Sequence, residues 1–441
     1  MNLKLFLFAF TAAIGGLLFG FDTAVVSGTT ESIQTYFDMS DAMLGWAVGS
    51  ALVGCVVGAI GVGKPGDIFG RRKMLFVSAI LFFISAVWTG AAQTLTGFVI
   101  ARIIGGIGVG AASVMAPMYI AEISPARLRG RLVSTAQLAI VTGIVAAFFS
   151  NYLLVGIGDN AWRYMYWAEC VPAAMYFILL FLTSPSPRWL VKVGRVDQAR
   201  DVIQLVDAEE NTDSVMSDIQ ESLAHEEMSK GINLLHKPYL RLVIIGMVVG
   251  MFNQFTGINI IFYYAPKIFK DAGFGENAAL LQAVALGSTN LIFTFIGMVL
   301  IDKVGRKMLL MIGGLAMPAC LALFAYCYMN SKDPYLLIGS LVVFIMFFAM
   351  TQGVVIWVVL SEMFPNQIRA RASALASFSL WVFCALSAFL FPPLEKKFGV
   401  GPIFIFYSIA TLCSFFFFWK YLVETKGKTL EEMEQSWANS N

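Results

Sequence analysis

Apolar runs of about twenty residues recur along this chain, parted by short polar stretches, and that repetition constrains the fold more than any other feature. The runs cover 5–28, 43–63, 74–93, 97–121, 132–156, 165–184, 242–264, 279–301, 308–328, 335–361, 373–393 and 401–419. A helix needs about 20 residues to cross a hydrocarbon core about 30 Å thick. In lipid it can satisfy all its backbone groups internally, which an open strand cannot. The sequence therefore predicts an all-α membrane protein with twelve transmembrane helices. Of 441 residues, 58% are hydrophobic and only 13% charged, too little charge to cover a soluble protein of this size. The first run follows Lys4 but continues through Asp22 with no small-residue cleavage site after a short core. It reads as a retained span rather than a leader.

The longest polar interruption, 185–241, carries Asp197, Asp201, Glu209, Glu210, Asp213, Asp218, Glu221, Glu226 and Glu227 among Val, Ile and Leu. That mixture suits short amphipathic helices in water. The expected organisation is a six-helix bundle over 1–184, a cytoplasmic helical linker over 185–241, a second bundle over 242–419 and a cytoplasmic tail over 420–441. Lys and Arg gather on one side if the N-terminus is cytoplasmic. Lys64 with Arg71, Arg72 and Lys73, then Arg127, Arg129 and Arg131, then Lys303, Arg306 and Lys307 all fall in stretches facing that side. The opposite stretches hold only Arg163, Lys267, Lys270, Lys332, Lys396 and Lys397. This bias places both termini inside.

Two motifs occur twice, in the same order and at nearly the same offset. Asp67-x-x-Gly70-Arg71-Arg72 follows the second run and Asp302-x-x-Gly305-Arg306-Lys307 the eighth. Glu122-x-x-Pro125-x-x-x-Arg129-x-Arg131 ends the fourth run and Glu362-x-x-Pro365-x-x-x-Arg369-x-Arg371 the tenth. The repetition implies two halves related by an axis along the membrane normal, a plan found in transporters. Membrane anchoring alone accounts for the basic residues but not for acidic partners at fixed spacing. Asp67, Arg71, Arg72, Glu122 and Arg129, with Asp302, Arg306, Glu362 and Arg369, are therefore expected to form charge networks that hold the cytoplasmic side shut and break when it opens.

Other chemistries find little support. The six cysteines are scattered through apolar stretches without metal-ligand or redox spacing, and the two histidines, His225 and His236, lie in the polar interruption. No metal, cofactor or enzymatic constellation is expected. A net charge of +2 gives no reason to expect a nucleic-acid partner. No Asn-x-Ser/Thr sequon occurs, which fits a bacterial inner membrane better than a glycosylated surface.

The repeated motifs resemble the sugar porter family of the major facilitator superfamily, from about Ala9 to Glu432. So do Arg102-Ile-Ile-Gly-Gly106, Pro117-Met-Tyr-Ile-Ala-Glu122, Ser186-Pro187-Arg188-Trp189-Leu190, Asn253-Gln254-Phe-Thr-Gly-Ile-Asn259 and Glu424-Thr-Lys-Gly-Lys-Thr429. The resemblance implies a single-chain carrier in a lipid bilayer that moves a monosaccharide, a pentose or hexose with D-xylose foremost, together with protons. It implies a sugar site at the interface between the halves, with Gln137, Asn253, Gln254, Asn259 and Asn290 for the hydroxyls and Phe19, Tyr263, Trp357 and Trp381 as aromatic lining. The residue chemistry agrees, because amides supply both donors and acceptors and are costly in lipid without partners. Three positions depart from the family pattern: Asn253 replaces a glutamine, Leu380 an amide before the tryptophan, and Pro185 a glutamate.

Asp22 and Arg102 are charges inside apolar runs, each costing about 2.5–3.5 kcal/mol at the bilayer centre unless paired or used. In the resemblance they match the coupling pair of proton-driven porters. Asp22 would pair with Arg102 when ionised and release it when protonated, with Glu169 the next carboxylate to consider. The alternatives are an uncoupled sugar facilitator and, less well matched to a tail this short, a transporter-like sugar sensor.

Overall fold

The computed structural model describes residues 2–207, 211–228, 234, 236–330, 333–365, 368–424 and 426; most of the expected tail beyond Leu422, and part of the linker including Glu209 and Glu210, fall outside them. Among the described residues every regular element is helical. Eleven helices of the described residues are long and apolar enough to cross a membrane: Leu3–Gly28, Asp41–Gly61, Arg71–Ala91, Leu95–Ile123, Arg127–Ile157, Tyr239–Asp271, Glu276–Val304, Arg306–Met329, Pro334–Leu360, Arg371–Phe398 and Val400–Tyr421. The twelfth expected span, sixth in order, is Ala161–Ala168 followed by Cys170–Leu180. Its register is interrupted at Glu169, where Pro172 has no N–H to return to the Ala168 carbonyl.

The sixth span begins ahead of the expected 165. Arg163 lies inside it and is buried, its guanidinium donating to the Gly90 and Ala92 carbonyls at 2.7 and 2.8 Å and stacking over Trp162. A cation bonded in this way can sit within a helix that hydropathy alone would start later. The seventh span, expected as one stretch, is two helices, Lys237–Gln254 and Ile258–Asp271. Gly257 takes φ +79 between them, a conformation that side chains other than glycine's resist. The tenth span passes through a π turn at Ala349–Gly353, which widens the helix locally.

Two compact units can be distinguished. The first comprises Met1–Val25, Ser50–Ala147 and Asn160–Ile232. Its helices approach closely where glycine allows: a Cβ on Gly106 would stand 1.8 Å from the Ala51 carbonyl oxygen, and one on Gly143 would stand 2.0 Å from that of Leu17. Small residues at such crossings let backbones touch in lipid, where burial gives helices no reason to associate. The linker helices Pro187–Lys192, Val196–Val206 and Thr212–Met228 belong to this unit and enclose a small core of Trp189, Leu190, Ala199, Val202, Ile203 and Met216. The second unit comprises Val26–Gly49, Phe148–Asp159 and Asn233–Asn441. The start of the second span packs in it against the eleventh, with a Cβ on Gly45 placed 2.3 Å from the Phe389 carbonyl oxygen.

Candidate functional site

In the first unit the charges embedded in the spans come together. Asp22, Arg102 and Glu169 are each 1% exposed. Arg102 donates to Asp22 Oδ1 at 2.5 Å and to the Asp22 carbonyl at 3.1 Å, and lies over the Tyr166 ring at 5.4 Å. The Glu169 and Asp22 carboxyls are within hydrogen-bond reach of each other. While both are ionised neither brings a donor, so Asp22 Oδ2 and both Glu169 oxygens go unbonded. One guanidinium faces two carboxylates, and a single proton held between them would balance the charge and supply the missing donor.

In the second unit the amides flank the break in the seventh span. Gln254 Nε2 donates to Asn253 Oδ1 at 3.1 Å, and Asn259 Nδ2 donates to Gln254 Oε1 at 2.5 Å. The turn at Thr256 and Gly257 makes this possible. The Thr256 hydroxyl bonds the Asn253 carbonyl and the Gly257 N–H bonds that of Gln254, folding Asn259 back towards the end of the preceding helix. Asn259 also reaches Cys384 of the eleventh span, Nδ2 to Sγ at 3.1 Å, and the Tyr263 hydroxyl lies 3.8 Å from the same sulfur. Trp381, one turn before Cys384, is buried, as is Asn290 of the eighth span, while Trp357 of the tenth is exposed. Asn290 makes no hydrogen bond among the described residues, which leaves its amide available. Gln137 and Phe19 belong to the first unit, where both are half-buried.

The repeated motifs form corresponding clusters. Arg71 bonds Asp67 and Glu122, each at 2.9 Å, and Glu122 also accepts from the Ser186 hydroxyl at 2.5 Å. Arg306 pairs with Asp302 at 3.2 Å and with Glu362 at 3.1 Å. Gly70 and Gly305 turn the chain into the next helix at φ +91 and +100. Arg72 lies apart, bonding the Leu180 and Phe181 carbonyls and the Thr183 hydroxyl. Arg129 is exposed, and Arg369 donates to the Phe364 carbonyl at 3.1 Å.

Three features of the structure have no distinctive sequence signal. Cys384 is, by its spacing, any cysteine in an apolar run. Glu424 accepts the backbone N–H groups of Arg306 and Lys307, both at 2.9 Å, at the start of the ninth span. At the other end of the second unit, Lys267 pairs with Glu395 at 2.6 Å, Lys396 with Asp41 at 2.8 Å and Lys270 with Glu31. Opposite charges in successive loops signalled that such pairs could form, but no spacing rule says which.

With this geometry in place, comparisons locate the chain among known proteins. A family model described as "Sugar (and other) transporter" matches residues 8–437. The chain is 38% identical to the D-xylose-proton symporter of Escherichia coli (strain K12), over 98% of this chain and 96% of that protein. It is 38% identical to the glucose transport protein of a Synechocystis strain, over 96% and 95%. The fold matches the partially occluded inward-open conformation of the xylose transporter XylE from E. coli with a TM-score of 0.87 and 36% identity, covering 97% of this chain and 99% of that one.

Proposed function

The chain belongs to the sugar transporter family of the major facilitator superfamily, and from that premise we propose that it is a proton-coupled monosaccharide symporter that works by alternating access. The observation that carries coupling is the buried Asp22–Arg102 pair with Glu169 beside it. Protonation there removes the attraction that holds Arg102 and so biases which side opens. Sugar binding is assigned to Gln254, Asn259, Asn253 and Asn290, with Gln137 as the first unit's amide. Tyr263, Trp381, Trp357 and Phe19 supply ring surface for the apolar faces of the substrate. D-xylose is the first candidate because of the symporter relative, and glucose the second.

Arg71 with Asp67 and Glu122, and Arg306 with Asp302 and Glu362, act in this reading as the cytoplasmic gate. Arg72 and Arg369, bonded to the Leu180 and Phe364 carbonyls, steady the chain around it. The halves over 1–184 and 242–419 are the moving bodies, 185–241 joins them, and both termini face the cytoplasm of a bacterial inner membrane. The carrier acts as a single chain.

Uptake of labelled xylose, glucose, galactose and arabinose into proteoliposomes, with and without an imposed pH gradient, tests the proposal. Accumulation of at least one sugar above its external concentration only when the gradient is present is the expected result. Equilibration without accumulation for every sugar would make the protein a facilitator.

A further inference from the structure

Asn259 has two N–H donors, and both are committed: one to Gln254 Oε1 at 2.5 Å, the other to Cys384 Sγ at 3.1 Å. That leaves its Oδ1 as the group open to a substrate. A sugar hydroxyl, however, both donates and accepts, and is best met by an amide that can offer both. The two committed bonds are not equivalent. The amide oxygen of Gln254 is a strong acceptor, whereas a thiol sulfur is a weak one. The N–H directed at sulfur is the one a hydroxyl oxygen can take over.

The surroundings of Cys384 fit that exchange. The residue is buried in the eleventh span, one helical turn after Trp381 and so on the same face. The Tyr263 hydroxyl, 3.8 Å from the same sulfur, is a second polar group facing the thiol. The thiol thus touches two of the residues assigned to sugar binding and neighbours a third.

We propose that Cys384 is a specificity-determining residue of the sugar site, its thiol parking an Asn259 N–H in a bond weak enough to be handed to a substrate hydroxyl. This inference rests on the amide cluster being the sugar site. Sugars that present a hydroxyl oxygen next to Asn259 and Tyr263 are favoured, and analogues lacking that hydroxyl leave the N–H on sulfur and gain nothing from it.

The test is transport kinetics of the full-length protein in proteoliposomes, comparing Cys384→Ser and Cys384→Ala on xylose, glucose and their monodeoxy analogues. Serine offers a stronger acceptor that competes with the substrate, so C384S should raise KM for the parent sugars about fivefold with kcat within about twofold. For the one deoxy analogue that lacks the exchanged hydroxyl, C384S should leave KM unchanged. C384A leaves that N–H without an acceptor until a hydroxyl arrives, so it should lower KM for the parent sugars about two- to fivefold and leave it unchanged for that analogue. Equal KM increases in both variants would show a packing role and overturn the proposal, as would unchanged KM in C384S.

If neither variant folds, alkylation of Cys384 by N-ethylmaleimide in the wild-type protein, quantified by mass spectrometry with exposed Cys413 as control, decides the matter. Xylose and glucose should slow reaction at Cys384 and not at Cys413. No protection by either sugar, or no reaction at Cys384 at all, overturns it. Calorimetric titration of Gln254→Ala separates the two levels. Unchanged sugar affinity there removes the site itself, whereas lost affinity together with a negative result at Cys384 leaves the site standing and sinks only the role of the thiol.

Discussion

Arg102 grips Asp22 twice, through the carboxylate at 2.5 Å and through the backbone carbonyl at 3.1 Å, so the arginine is held to the first span even when the carboxylate is neutralised. The second bond lets protonation loosen the pair without scattering it. Asp22→Asn should therefore fold and bind sugar, because the amides of the second unit are untouched, yet lose accumulation driven by a pH gradient. Counterflow should survive, since exchange need not return an empty, deprotonated carrier. Comparing uphill uptake with counterflow in the same reconstituted variant checks this. Persistent accumulation would pass the proton to Glu169, and Glu169→Gln becomes the decisive variant.

Asp22 and Arg102 were legible in the sequence because charge inside an apolar run demands an explanation, and each is the other's. The number and order of spans were equally legible, since hydropathy reports exposure to lipid. Local backbone conformation was not. The break at Gly257 and the π turn at Ala349–Gly353 leave hydropathy unchanged, although a glycine following two amides and a threonine was a usable sign of the first. Cys384 was invisible for a different reason: its role depends on which face of the eleventh span meets Asn259, and sequence spacing within one helix says nothing about its neighbour.

Removing an amide from the sugar cluster should cost affinity rather than stability. In Gln254→Ala, Asn259 loses its acceptor and Asn253 its donor, and substrate hydroxyls face unmatched groups. The cost is about 1–3 kcal/mol, or about 5- to 150-fold in Kd. Gln137→Ala is expected to fall in the same range. Calorimetric titration of both purified variants measures it, and unchanged affinity in both would move the site elsewhere.

The two motif clusters should respond unequally. The Arg71 side chain is 5% exposed and its partner Glu122 9%, whereas Asp302, the partner of Arg306, is 78% exposed. Arg71→Ala strands a buried carboxylate, at about 3–5 kcal/mol for a fully buried pair, and should lower thermal stability visibly. Asp302→Asn breaks a solvent-screened pair worth about 0–1 kcal/mol. It should slow transport while leaving sugar affinity and melting temperature nearly unchanged. Equal loss of affinity and transport in Asp302→Asn would make the cluster structural.

Glu424 offers a test by pH. Its carboxylate accepts the backbone N–H groups of Arg306 and Lys307 at 2.9 Å and of Lys426 at 3.0 Å, closing the start of the ninth span where the helix dipole favours negative charge. Burial pushes the carboxyl up, but the N–H bonds from Lys426, Arg306, Lys307 and Met308 outweigh it and hold it below the ordinary 4.5. A carboxyl whose folded value is depressed stabilises the fold fully above its unfolded value and loses that contribution as pH falls through the folded value. Glu424→Gln keeps an acceptor but not the charge. It should lower the melting temperature of the purified protein by about 1–3 °C at neutral pH. The gap from wild type should shrink as pH falls from 4.5 through the depressed folded value, below which the wild-type carboxyl is neutral as well. Melting curves of both proteins from neutral to acidic pH give the comparison. A gap that stays constant to the acid end would mean that the ionised carboxylate contributes nothing beyond its shape, and that the ninth span is held by neutral contacts alone.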